Sequence, residues 1–135
     1  MKFSELQLHP DVLAGIEKLG FTECTDIQET AIPLVLQGKD VAGLAQTGTG
    51  KTAAYVIPLM DRILRSLVAP EAIEEEFKPR VIESWKESNF VLILVPTREL
   101  AEQVRDNVTT IGAGCDFKSV AVYGGMSYEI GRAHV

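Results

Sequence analysis

Eight consecutive residues, Ala45-Gln46-Thr47-Gly48-Thr49-Gly50-Lys51-Thr52, combine the types that bind a phosphate chain. Gly48 and Gly50 free the backbone to turn successive N–H groups inward onto phosphate oxygens. Lys51 can reach the β- and γ-phosphates, and the Thr52 hydroxyl is placed for Mg²⁺. The loop lies between an apolar run, residues 41–44, and a helix-forming run, residues 53–67. It therefore opens a helix whose unpaired N–H groups and positive dipole end add to the same attraction. A nucleoside triphosphate suits all three devices. The general motif starts on Gly where this chain has Ala45, and its bland counterpart is an ordinary Gly-rich strand-to-helix turn. The strand before and the helix after favour the phosphate reading.

Positioning such a loop takes a folded core, and 46% apolar with 24% charged residues in 135 supplies material for one domain at most. No run approaches the ~18 apolar residues of a membrane span, and the first residues lack a signal-peptide core, so the expected location is cytoplasmic with no membrane contact. Cys24 and Cys115 have no metal-like spacing and read as free thiols. The net charge of −6 argues against a general basic grip on nucleic acid. Half of it is local: residues 67–88 hold six glutamates against Lys78, Arg80 and Lys86.

The spacing of Val12, Leu13, Ile16 and Leu19 predicts a helix over residues 10–19, stopped by Gly20. Thr25 can cap a second helix with Gln28 at its third position, and taken alone that pair is a capping box. Ile27, Ala31, Leu34 and Val35 form its apolar face, Pro33 is expected to kink or strain it, and Gly38 closes it. Beyond the 53–67 helix, Pro70 and Pro79 break residues 67–88 into a surface excursion. Its Phe77 and Trp85 either anchor a partner or, the reading we favour, pack the excursion onto the body. Residues 90–95 form an unbroken apolar run, the pattern of a buried parallel strand, ending in Pro96-Thr97-Arg98-Glu99-Leu100. Thr97 caps a helix to about Ile111, with Leu100, Val104, Val108 and Ile111 on one face. A third strand, residues 119–123, leads to Gly124-Gly125. Alternating strands and helices predict an α/β fold with a parallel sheet flanked by helices. Ligands collect at the C-terminal strand ends of such sheets, where all three turns fall.

Together Gly20-Phe21, Thr25, Ile27-Gln28, the loop 45–52, Pro96-Thr97-Arg98-Glu99-Leu100 and Gly124-Gly125 resemble, in order and spacing over residues 3–129, the first RecA-like domain of DEAD-box RNA helicases. Cys24-Thr25 with Asp40-Val41-Ala42-Gly43 further resembles the bacterial degradosome type. The resemblance implies that Gln28 reads the adenine edge, that Phe21 packs at the adenine with Phe3 as the upstream aromatic, and that Gln46, Thr47, Gly48, Thr49, Gly50, Lys51 and Thr52 hold ATP and, through Thr52, Mg²⁺. It implies that Pro96, Thr97, Arg98, Gly124 and Gly125 contact the RNA backbone, and it leaves room for a protein partner from an RNA-processing complex. An arginine suits such a contact because its fork of donors matches phosphate oxygens.

Departures from the pattern matter equally. Cys24 and Asp26 stand where the family usually has Pro. The Asp-Glu-Ala-Asp and Ser-Ala-Thr segments and a second RecA-like domain are missing, so the expectation is an incomplete RecA-like P-loop domain that binds but does not hydrolyse ATP or unwind RNA. We divide it into a helical region, residues 1–38, a partial ATP-binding domain, residues 39–129, and a tail, residues 130–135, whose Ile-Gly-Arg-Ala-His-Val reads as a sequencing adapter translated in frame. Two alternatives stand beside this reading: a P-loop ATPase of another class, and a binding module acting through the acidic excursion.

Overall fold

A computed structural model describes residues 1–46, 48, 50–86, 88–115 and 117–124. Its framework is four helices: α1 (Pro10–Lys18), α2 (Asp26–Leu36), α3 (Lys51–Ser66) and α4 (Arg98–Ile111). Three of them begin where a side chain supplies a cap, and α3 begins after Gly50 with no side-chain cap. His9 accepts from the Asp11 N–H ahead of α1, which has proline in its first turn. Thr25 and Gln28 form the reciprocal capping box of α2, and Thr97 accepts from the Leu100 N–H at α4. α2 runs unbroken through Pro33, where a kink is the sequence expectation. Its apolar residues pack along α3, and that packing outweighs the one internal hydrogen bond proline removes.

The core lies where the helices meet. Val12 and Ile16 of α1, Ile32 of α2, Ile57 of α3 and Ile111 of α4 are all fully buried, with Phe3 1% exposed beneath them. Burial of each such side chain contributes about 1.5–3 kcal/mol, more than helix propensity gives any residue here. Gly15 sets the α1–α4 distance: a Cβ there would overlap the Ile111 carbonyl.

The excursion folds as two short 3-10 helices, Pro70–Ala72 and Glu75–Arg80. Phe77 packs it onto the body, with the Arg65 guanidinium 3.7 Å and that of Arg80 4.9 Å from the ring centre. Trp85 is half-buried.

The parallel sheet is where expectation and structure part. Among the described residues the only β pairing is an isolated antiparallel bridge between Lys2 and Glu23. The run 90–95, expected as a buried strand, has Phe90, Leu92 and Leu94 exposed at 76%, 71% and 84%, while Ile93 and Val95 are half-buried. That period of two belongs to extended chain with one side turned inward. Leu44 at 95% and Val122 at 64% show that the other two expected strands also leave large apolar side chains in water. The physical reason is coverage: parallel strands are stable when both sheet faces are packed, and nothing described here lies over the second face. Exposed apolar groups of this kind bind hydrophobic dyes and self-associate. The expected result is strong anilinonaphthalene fluorescence that falls by more than half in Leu92→Lys/Leu94→Lys; undiminished fluorescence would locate the apolar surface elsewhere.

Candidate functional site

Two clusters gather the residues singled out in the sequence. The first surrounds the loop that opens α3. Gly48 and Gly50 take φ +85° and +84°, the left-handed region that costs other L-residues about 1–2 kcal/mol. Gly50 also has no room for a side chain, since a Cβ would run into the Gln28 amide and come within 3.4 Å of the Thr25 hydroxyl. α3 starts at Lys51, two residues earlier than the helix-forming run suggests, so Lys51 and Thr52 stand in its first turn. The exposed Lys51 ammonium donates to the Ala45 carbonyl at 2.7 Å, closing the loop upon itself.

Gln28, 2% exposed, ties this loop to α2. Its Oε1 accepts from the Thr25 N–H at 3.0 Å, and its Nε2 donates to the Gly50 carbonyl at 3.2 Å. One amide thus closes the helix cap and braces the phosphate loop. Phe21, 39% exposed, stacks on buried Phe3 with centroids 6.4 Å apart and planes at 20°. Neighbouring Cys24 keeps its proton more firmly than a free thiol, chiefly because burial disfavours the thiolate, and the same cause acts on Cys115. Neither has the lowered pKa of a reactive cysteine.

The second cluster lies at the start of α4. Arg98 donates through a guanidinium nitrogen to the Gly124 carbonyl at 3.2 Å, and its fork lies 4.7 Å above the Tyr123 ring. The Tyr123 hydroxyl donates to Glu102 at 2.9 Å, and this hydrogen bond, first among the causes, raises the phenol's pKa. Thr97 uses its oxygen as the helix cap, which leaves its hydroxyl proton free to donate elsewhere. Pro96 is exposed beside it. Gln46 and Gly48 are exposed as well, while Thr47, Thr49, Gly125 and the tail 130–135 fall outside the described residues.

Direct contact therefore joins Gln28 to Gly50, Phe21 to Phe3 and Arg98 to Gly124. Sequence reasoning passed over the supporting Tyr123 and Glu102. Glu102 stands four residues after Arg98 on the same helical face, and Tyr123 directly precedes Gly124, so their spacing was the available signal. Among the described residues no group of three or more His, Cys, Asp or Glu could hold a metal. Thr52, in the first turn of α3, carries a hydroxyl oxygen of the kind a hard cation takes.

A glycine-hinged loop at a helix start, closed by a lysine, is the architecture of the phosphate-loop proteins. Comparison with known proteins narrows this class. The family model described as DEAD/DEAH box helicase matches residues 25–135, and the chain belongs to that family. It is 42% identical over 127 residues to the ATP-dependent RNA helicase RhlB of Xanthomonas axonopodis pv. citri (strain 306), covering 94% of this chain and 20% of that protein. To the DEAD-box ATP-dependent RNA helicase CshA of Streptococcus pneumoniae serotype 4 it is 43% identical over 129 residues, 96% of this chain and 21% of that one. The crystal structure of the RNA helicase Prp28 from Chaetomium thermophilum bound to ADP superimposes with a TM-score of 0.72 at 32% identity, over 96% of this chain and 28% of that one. The chain thus spans about a fifth of the length of the curated relatives it matches. An α/β RecA-like fold fits these likenesses, without a sheet ladder among the described residues.

Proposed function

We propose that this chain is the first part of the ATP-binding domain of an ATP-dependent RNA helicase, binding ATP with Mg²⁺ at the loop 45–52 and the RNA backbone at Pro96, Thr97, Arg98, Gly124 and Gly125. Residues 1–38 serve as the adenine-side region and 39–129 as the phosphate- and RNA-binding part, in a cytoplasmic protein. Among the described residues no helix is long and apolar enough to cross a membrane.

The observation that carries the nucleotide reading is the Gln28–Gly50 bond. Gln28 spends one N–H on Gly50 and one lone pair on Thr25, keeping one of each. That donor and acceptor pair matches adenine, which offers N7 as acceptor and N6 as donor on one edge; guanine offers two acceptors there. Base choice and phosphate grip are thereby built into one bonded unit. The relative Prp28 was crystallised with ADP, which accords with this reading. A well-formed bidentate base contact discriminates by about 1–3 kcal/mol, so ATP should bind at least about fivefold more tightly than GTP, with the difference abolished in Gln28→Ala. Equal affinities in the unmodified chain, measured by calorimetry, would sink the adenine reading.

The RNA reading rests on Arg98 and Gly124 being held together at an exposed helix start carrying the Thr97 hydroxyl. Such contacts go to phosphates and are insensitive to sequence. With two or three phosphates engaged, log affinity for single-stranded RNA should fall with log salt at a slope of roughly −1.5 to −2, and Arg98→Ala should flatten it by about 0.7. Tight, salt-independent or sequence-specific binding would contradict this.

A further inference from the structure

Asp61 is fully buried in the middle of α3, far along the helix from the phosphate loop, and no nucleotide or RNA role calls for it. Its Oδ1 accepts from the His9 N–H at 2.7 Å, and its Oδ2 from Arg65 Nε at 3.0 Å and an Arg80 guanidinium nitrogen at 3.3 Å. Both arginines continue beyond it. Arg65 donates to the Gln7 carbonyl at 2.9 Å, while Arg80 donates to that same carbonyl at 2.8 Å and to the Leu6 carbonyl at 3.0 Å. Gln7 itself sits in the left-handed region at φ 53°, a conformation non-glycine residues hold when their surroundings impose it. Both guanidinium groups lie near the Phe77 ring, 3.7 and 4.9 Å from its centre. Bonds from the Ile82 N–H to the Ser66 hydroxyl and from the Arg62 guanidinium to the Arg80 carbonyl fasten the same stretch of excursion to α3.

Residues 6–9 are one end of a strap. Its other end, residues 2 and 3, pairs with residues 22–24: Phe3 donates to the Thr22 carbonyl at 3.1 Å and Lys2 bridges Glu23. Phe3 there supports Phe21, and Thr25, two residues past the bridge, caps the helix that carries Gln28. Between these ends the strap buries Phe3, Leu6 and Leu8.

From this we infer that Arg80, a residue of the acidic excursion, is a positioning residue for the adenine side of the nucleotide site: bound to Asp61 and to the Leu6 and Gln7 carbonyls, it fixes the strap that holds Phe3 under Phe21. This rests on the nucleotide reading above and adds a role to it for the excursion, 74 residues along the chain from Leu6. The phosphate loop has a further brace of its own in the Lys51–Ala45 bond, so losing Arg80, which acts through Phe3 under Phe21, should weaken recognition of the base more than that of the phosphates.

The test uses the 135-residue chain with Arg80→Gln and Arg80→Lys. Lysine keeps a positive charge opposite Asp61 but lacks the planar fork with which the guanidinium spans two carbonyls and a carboxylate. Amide hydrogen exchange reads the strap directly. The His9 and Phe3 amides should exchange at least about tenfold faster in Arg80→Gln, with α4 amides within about twofold of the unmodified chain and Arg80→Lys intermediate. ATP affinity should fall about three- to tenfold while affinity for inorganic tripolyphosphate stays within about twofold. Unchanged strap exchange would overturn the inference, as would an equal loss for ATP and tripolyphosphate, which marks a general loss of structure. If the unmodified chain binds ATP and Arg80→Gln keeps its full affinity, the positioning role alone fails. If the unmodified chain binds no ATP, the nucleotide reading fails and takes this role with it. Should Arg80→Gln unfold, Phe77→Leu removes the stacking surface and leaves every hydrogen bond of the node in place, and the same two readouts apply to it with smaller changes in the same directions.

Discussion

Lys51→Ala is expected to weaken ATP binding by roughly ten- to a hundredfold while leaving the affinity for adenosine and the thermal midpoint almost unchanged. In the structure the Lys51 ammonium donates to a neutral acceptor, the Ala45 carbonyl, at 2.7 Å and is exposed. Exchanging that carbonyl for phosphate oxygens replaces a bond from an ion to a neutral acceptor with one between opposite charges, and bonds to charged groups are worth about 1.5–3 kcal/mol. Removing the side chain forfeits that gain. Stability should scarcely respond: the lost bond is exposed, and Ala in place of Lys at the first residue of α3 improves helix propensity slightly. The adenosine arm matters, because adenosine tests Gln28 and Phe21 without phosphates. A Lys51→Ala chain that binds ATP within about twofold of the original would show the loop backbone to carry the phosphates alone.

Much of this site could be read from the sequence because its parts are local. Thr25 with Gln28, Gly48 with Gly50 and Lys51, and Thr97 with Leu100 each act within a few residues, where turn and cap chemistry is set by residue type. The helices were legible for the same reason, since their apolar spacing and stops lie within one window. What escaped depends on separation. Arg80 meets Leu6 across 74 positions and His9 meets Asp61 across 52, and no periodicity announces either pair. Asp61 reads in sequence as one more charge on a helix, yet the fold buries it completely. The runs 41–44, 90–95 and 119–123 form no ladder among the described residues for a further reason. Their composition records what would surround them in a sheet covered on both faces, and the described residues cover one side only.

Gly15→Ala is expected to lower stability by about 2 kcal/mol, against what helix propensity alone demands. Gly15 lies inside α1, where replacing glycine by alanine normally stabilises by about 0.8–1 kcal/mol. The new Cβ, however, would stand 2.5 Å from the carbonyl carbon and 2.7 Å from the Cα of Ile111, with the carbonyl oxygen nearer still. These are backbone atoms at the end of α4, in a residue fully buried in the core, so no side-chain rotation relieves the overlap. α1 and α4 must separate, and overpacking of a tight contact typically costs about 1–3 kcal/mol, the upper end applying where backbone meets backbone. Set against a gain of about 1 kcal/mol, the steric cost wins. The adjacent Ala14 provides the comparison, being exposed on the same helix. Ala14→Gly should lose about 1 kcal/mol from propensity alone, so both exchanges, opposite in chemistry, should lower the urea midpoint, and Gly15→Ala by more. A higher midpoint for Gly15→Ala would mean that the two helices pack farther apart in solution than the Gly15–Ile111 contact allows.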